Sequence, residues 1–140
     1  MATFRFYHPI EVRYEDLDPQ GHVNNARYLT YMEQARVAYF RHIGLWKGEG
    51  LLDVLVLLAE AQITYRAPIL FGNAIRVGVR VARLGNKSLT MEYCIDGDGG
   101  ITYATGSTVI VTGHPATGQT IPVPDHWRQA FIEFEGQIAV

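Results

Sequence analysis

The chain predicts an α+β layer fold in which a curved antiparallel sheet of about five strands wraps one long central helix and a short helix follows at the C-terminal end. Three observations carry this. Apolar residues recur at helical spacing over residues 25–43, downstream segments alternate apolar and polar residues with period two, and the turns between those segments are short. Short turns favour antiparallel hairpins, because parallel strands need a long crossover.

Residues 4–14 mix β-branched and aromatic residues with polar ones and read as a first strand, with Pro9 at a sheet edge or a bulge. The helix follows, stopped by Gly44. Leu29, Met32, Arg36, Tyr39, Phe40 and Ile43 repeat at helical spacing, while Tyr28, Tyr31, Ala35, Val37 and Ala38 widen the apolar surface far beyond a stripe. Such a helix is expected to be covered on most sides. At 1.5 Å rise per residue it would be ~28 Å long, so its cover must be a broad sheet. Residues 54–66 read as the next strand, ending in the alternation Ile63, Thr64, Tyr65, Arg66. Ile75, Val77, Val79 and Val81 alternate with Arg76, Gly78, Arg80 and Ala82, and Leu89, Met91, Tyr93 and Ile95 with Thr90, Glu92, Cys94 and Asp96. Residues 101–112 form the last long strand, and an antiparallel meander connects the set. Residues 115–124 are a loop, after which Asp125 is placed to cap a helix carrying Trp127, Ala130, Phe131 and Phe134.

With 140 residues, 48% hydrophobic content and a formal charge of −2, the chain is expected to be a single domain, residues 1–140, with a substantial core. The weak net charge argues against nucleic acid as a partner. Residues 51–61 are the most apolar run, yet Asp53 and Glu60 interrupt them and they are too few to cross a bilayer; residues 1–11 lack the apolar core of a secretory leader. Cys94 is the single cysteine, which excludes an intramolecular disulfide and fits a cytoplasmic location, and no Cys/His cluster has zinc-ligand spacing. A long strand edge left open by one chain predicts assembly through the sheets.

The chemistry concentrates in Asp16-Leu17-Asp18-Pro19-Gln20-Gly21-His22-Val23-Asn24-Asn25-Ala26-Arg27-Tyr28. Asp18 heads a turn with Pro19 and Gly21 where a type I turn favours them, and Asn24 or Asn25 caps the helix. A carboxylate is thereby held near the free N–H groups and positive dipole end of a helix, a pairing that suits a developing oxyanion beside an acid able to attack or to activate water. The same residues also serve as a plain turn and cap.

This stretch, from Tyr14 through Leu29 with Glu33 and Arg36 on the helix, resembles the signature of the 4-hydroxybenzoyl-CoA thioesterase-like branch of the hotdog-fold acyl-CoA thioesterases; Lys87-Ser88 at a strand start and Pro122-Val123-Pro124 before the last helix extend the likeness. The resemblance implies a hotdog fold, hydrolysis of an acyl-CoA thioester, no metal and no cofactor, and a homodimer or a tetramer of two dimers with the acyl site between subunits. It puts the catalytic carboxylate on Asp18, immediately before the Pro-x-Gly turn, and the carbonyl-polarising backbone N–H on Asn25. Asp16 is then a turn or surface residue. His22 has a supporting role, tuning Asp18, positioning water or holding the turn; Asn24 is chiefly a cap, the Tyr28 hydroxyl reaches the acyl pocket, and all three are candidates for substrate binding. Arg83, Lys87 and Ser88, with Arg76 or Arg80, are candidates for attracting the CoA phosphates. Glu33, costly to bury alone, is expected to pair with Arg36 or Arg66. Asn24-Asn25 stands where the aromatic-substrate enzyme has an aromatic residue, which argues for a different acyl group. Two other readings stay open: a thioesterase acting on acyl carrier protein, and a non-catalytic acyl-CoA-binding module.

Overall fold

The computed structural model describes residues 3–139; Met1 and Ala2 of the segment read for a leader, and Val140, lie outside the described residues. The elements run β1 (Phe6–Ile10), α1 (Arg27–His42), β2 (Leu55–Tyr65), β3 (Ile75–Leu84), β4 (Ser88–Gly97), β5 (Thr102–Gly113) and α2 (Asp125–Glu135), with a short 3-10 turn at Tyr14–Asp16. All strands pair antiparallel in one sheet, in the order β1-β3-β4-β5-β2. The expected meander therefore holds only for β3, β4 and β5. β2 instead lies beyond β5, and β1 pairs with β3, because the long helix between β1 and β2 in sequence carries the chain from one sheet edge to the other. β1 is shorter than its apolar pattern suggested, and Pro9 sits in an edge strand, where a missing N–H costs no ladder bond.

The core lies between the sheet and the two helices. Val77, Val79 and Val81 of β3, Met91 and Ile95 of β4 and Ile110 of β5 are buried with Tyr31, Met32, Ala35, Tyr39 and Phe40 of α1 and Trp127 and Phe131 of α2. Burying side chains of this size contributes roughly 1.5–3 kcal/mol each. Gly106 in β5 leaves room for the Met32 side chain of α1: a Cβ there would lie 2.7 Å from the Gln62 carbonyl of β2 and 2.9 Å from Met32 Cε. α2 is tied down by Glu135, whose Oε2 accepts the Tyr39 hydroxyl at 2.6 Å and the Val81 N–H at 3.0 Å beside a bulge in β3. Asp125 is the first residue of α2 and makes no side-chain cap; Pro124 occupies the cap position.

α1 corrects one expectation. Its apolar residues are not all covered, since Leu29 and Val37 are exposed along with Thr30, Glu33 and Gln34. The sheet of one chain covers one side of α1. The helix also begins two residues later than expected and ends at His42, with Gly44 at φ +87° turning the chain out of it.

Candidate active site

The Asp18 turn forms as its residues dictate. The Gly21 N–H donates to the Asp18 carbonyl at 3.0 Å, and Gly21 takes φ +81°, a conformation that favours glycine although the space around it is open. The Asp18 N–H then donates to the His22 carbonyl at 2.7 Å, and Leu17 bridges Val23, so the acid sits at the mouth of a tight hairpin. Its Oδ1 accepts the backbone N–H groups of Gln20 at 2.9 Å and of His22 at 3.2 Å. One carboxylate oxygen is thus held by its own turn, and Oδ2 has no hydrogen-bond donor among the described residues. A carboxylate fixed through one oxygen presents the other in a set direction.

The hairpin leads straight into α1. The expected cap by Asn24 or Asn25 is not found: Ala26 occupies the cap position of α1 without a side-chain cap, while Asn24 Oδ1 accepts the Ala26 N–H at 2.9 Å and the N–H groups of Arg27 and Tyr28 donate to the carbonyls of Asn24 and Asn25, so Asn24 closes the turn one step ahead of the helix. The Asn25 N–H, in contrast, finds no backbone acceptor among the described residues. Tyr65, at the end of β2, donates its hydroxyl to the Asn25 carbonyl at 3.0 Å and sets its ring edge-on to that of Tyr28, centroids 4.9 Å apart.

Asp18, His22, Asn25 and Tyr28 line one cleft of about 460 Å³ together with Val23, Tyr65, Arg66, Ala67 and Pro68. Tyr28 is buried, and burial pushes its hydroxyl pKa up, so it stays protonated near neutral pH. Asn24 is exposed and does not line the cleft; its part is the turn.

Arg83, Lys87 and Ser88 are not brought to this cleft. They lie around the β3–β4 turn, where Leu84 pairs with Leu89, whereas the cleft sits at the opposite end of the sheet, where Tyr65 pairs with Ala104 and Ile75 with Gly97. Ten residues of β3 separate the two ends, ~30 Å at strand rise. Arg76 and Arg80 are engaged elsewhere: Arg76 Nε donates to Asp96 Oδ1 at 2.7 Å and stacks on Tyr7, and Arg80 pairs with Glu92. Glu33 pairs with Arg36 at 3.8 Å, but it is exposed and carries no burial cost within one protomer.

Asp16 is a turn residue, as expected, the last of the 3-10 turn Tyr14–Asp16, but it is not at the surface. It is 1% exposed, its Oδ2 accepts the Arg13 N–H at 3.0 Å and the Tyr31 hydroxyl at 2.7 Å, and it is no surface residue. Burial alone would raise its pKa; the Arg13 N–H, the Tyr31 hydroxyl and the Arg13 and Arg27 charges outweigh that and hold the carboxyl below the ordinary range. Two further residues were not singled out for the site, Tyr65 and Arg66. The strand-end alternation over residues 63–66 put Tyr65 on the face of Ile63, but only the β2–β5 register shows that this face meets the start of α1. Among the described residues, no three His, Cys, Asp or Glu side chains cluster to hold a metal ion, and no helix is long and apolar enough to cross a membrane.

Comparison with known proteins matches this architecture. A thioesterase from Thermus thermophilus, solved in complex with coenzyme A and Zn, is 38% identical, with a TM-score of 0.83 over 98% of this chain and 99% of that one. The Bacillus subtilis (strain 168) protein YsmA is 24% identical over 131 residues, 94% of this chain and 88% of the relative. The long-chain acyl-CoA thioesterase FadM of Escherichia coli (strain K12) is 29% identical over 86 residues, 61% of this chain and 65% of the relative. The family profile described as the thioesterase-like superfamily matches residues 12–131, from the approach to the Asp18 hairpin into α2. With its helix laid across a five-stranded antiparallel sheet, the chain has the hotdog fold and belongs to the thioesterase-like superfamily.

Proposed function

We propose that this protein, as one domain, hydrolyses an acyl-CoA thioester to a carboxylic acid and free CoA. The observation that carries this reading is the pairing, in one cleft, of the Asp18 carboxylate with the unengaged Asn25 N–H ahead of α1. The relative solved with coenzyme A and the relative named a long-chain acyl-CoA thioesterase support CoA as the leaving half of the substrate.

The thioester carbonyl oxygen would accept the Asn25 N–H, aided by the helix dipole, as negative charge develops on it; one such donor contributes ~3 kcal/mol to the transition state. Asp18 Oδ2 then acts in one of two ways. As a base it takes a proton from water while the water oxygen bonds to the carbonyl carbon, and the C–S bond breaks as the tetrahedral intermediate collapses. As a nucleophile it forms an anhydride, expelling the CoA thiolate, and water then cleaves the anhydride to regenerate the carboxylate. In both the products are acid and thiol. Thiols ionise near pH ~8.5, so departure demands no strong general acid, in keeping with a site built on a single free carboxylate. His22 supports Asp18 through its backbone, and Tyr28 and Tyr65 form the wall against which the acyl group rests.

The active unit in this reading is a homodimer, with a tetramer of two dimers as the larger assembly. β2 has an open outer edge, and its Leu57 and Leu58, directed to opposite faces, are 40% and 50% exposed. Antiparallel β2–β2 pairing would cover them and turn the partner subunit's β3–β4 turn toward the end of the sheet that carries the cleft. Arg83, Lys87 and Ser88 would then meet the CoA phosphates across the subunit boundary. The single cysteine, half-buried with its thiol pKa raised by burial, is in keeping with a cytoplasmic protein. Within the superfamily the signature stretch favours the 4-hydroxybenzoyl-CoA thioesterase-like branch, while Asn24-Asn25 favours an acyl group other than hydroxybenzoyl.

The test is release of free thiol from short, medium, long and aromatic acyl-CoAs, each matched with the same acyl group on acyl carrier protein. Turnover of at least one acyl-CoA in preference to its carrier-protein counterpart is the expected result. Thiol release from none of them would remove the reading.

A further inference from the structure

Asp16 and Asp18 are two residues apart and differ in almost every physical respect. Asp18 is half-exposed, opens on the cleft and is held by backbone of its own turn. Asp16 lies outside the cleft lining, and its partners come from three directions. Its Oδ2 accepts the N–H of Arg13, the cap residue of its own 3-10 turn, and the Tyr31 hydroxyl in the second turn of α1. Its Oδ1 makes no hydrogen bond, with Arg13 Nη2 at 3.5 Å and Arg27 Nε at 3.7 Å balancing its charge. Its carbonyl accepts the Asn24 N–H at 2.8 Å.

Taking a carboxylate out of water is costly unless its bonds return the loss. The bonds here converge on one thing, the segment between Asp16 and Tyr31. The main chain of Asp16 holds Asn24, whose carbonyl carbon bears the Asn25 N–H, and Asp18 stands two residues further along the chain. The Leu17–Val23 bridge closes the ladder between them. The side chain of Asp16 fastens that ladder to α1 through Tyr31.

We propose that Asp16 is a positioning residue: through its bonds to Tyr31 and to Asn24 it fixes the Asp18 carboxylate relative to the Asn25 N–H, and so sets the rate of the chemical step and not the affinity for substrate. This rests on the acyl-CoA hydrolysis proposed above. A displacement of about 1 Å between reacting groups costs ~100-fold in rate, so a loosened anchor shows first in kcat.

The experiment compares wild type, Tyr31→Phe, Asp16→Ala and Asp18→Asn in thiol release from the best acyl-CoA, with thermal unfolding of each. Tyr31→Phe removes one hydroxyl and keeps the ring packed in the core, so it remains informative even where Asp16→Ala fails to fold. The expected result is a kcat of Tyr31→Phe lowered ~10-fold to ~100-fold with KM within about twofold of wild type. The double variant Tyr31→Phe with Asp16→Ala is expected to be no slower than Asp16→Ala alone, because each change by itself removes the bond between Asp16 and Tyr31. A residue that only stabilises the fold would lower the unfolding temperature and leave kcat per folded molecule unchanged. A kcat of Tyr31→Phe within twofold of wild type, in an enzyme that Asp18→Asn inactivates, overturns the role of Asp16 alone. Absence of thiol release by wild type overturns the parent reading, and this role with it.

Discussion

At the β3–β4 turn end of the sheet, α2 closes the layer. Arg128 donates to the carbonyls of Gly85 and Asn86, Trp127 and His126 both bond Asp53, and Glu135 ties α2 to α1 and β3. At the other end, the Asp18 hairpin, the start of α1 and the last residues of β2 meet around a cleft open on one side, with Tyr65 48% exposed and Leu70 and Phe71 exposed beside it. One end is finished within the chain; the other holds the candidate chemistry and lacks a wall. The cations expected to meet a CoA phosphate, Arg83 and Lys87, are at the finished end. In the proposed dimer, antiparallel pairing of the two chains would bring these two ends together in one site.

The strongest way to break that comparison is to deny β2 its partner. A charge placed on the open edge, as in Ala61→Arg, is expected to leave a monomer by sedimentation and to lower turnover on the order of 100-fold, since reacting groups lose the surface that orients the substrate. A monomer with undiminished turnover would make the cleft complete in one chain. A smaller effect sharpens the role of the finished end. Lys87→Ala is expected to raise KM for acyl-CoA ~10-fold, about 1.4 kcal/mol of lost binding, with kcat unchanged and with a weaker dependence of KM on salt. An unchanged KM would detach that end from the substrate.

The smallest effect concerns stability. The Asp16 carboxyl titrates lower in the folded chain than its ordinary value, so its contribution is complete above the unfolded value near pH ~4 and is lost as pH falls through the lower folded value. The unfolding temperature of Asp16→Asn is therefore expected to lie below that of wild type at neutral pH, and the gap to narrow in acid. A gap independent of pH down to the acid limit would mean that the charge of Asp16 contributes nothing.

How much of this could be read from the residue order follows from how local each feature is. The Asp18 turn was legible because its parts, Pro19 and Gly21, are neighbours whose backbone preferences act at once. The strands β3 and β4 were legible because alternation is a property of each alone. The burial of Asp16 was not: its cause is Tyr31, fifteen residues on, and nothing in the order of residues tells a carboxylate facing a buried tyrosine from one facing water. The pairing of Arg76 and Arg80 with Asp96 and Glu92 needed the β3–β4 register, which decides which cross-strand charges meet. The distance between Lys87 and Asp18 needed the strand order, which local pattern does not carry.

The account stands on the Asp18 carboxylate acting on a carbonyl held at the Asn25 N–H. Asp18→Asn keeps the shape of the turn, because the amide oxygen can still accept the Gln20 and His22 N–H groups, and removes the charge that attacks or activates water. Measured by thiol release from the best acyl-CoA with folded protein, kcat is predicted to fall at least ~100-fold with KM little changed; a kcat equal to that of wild type would contradict the account.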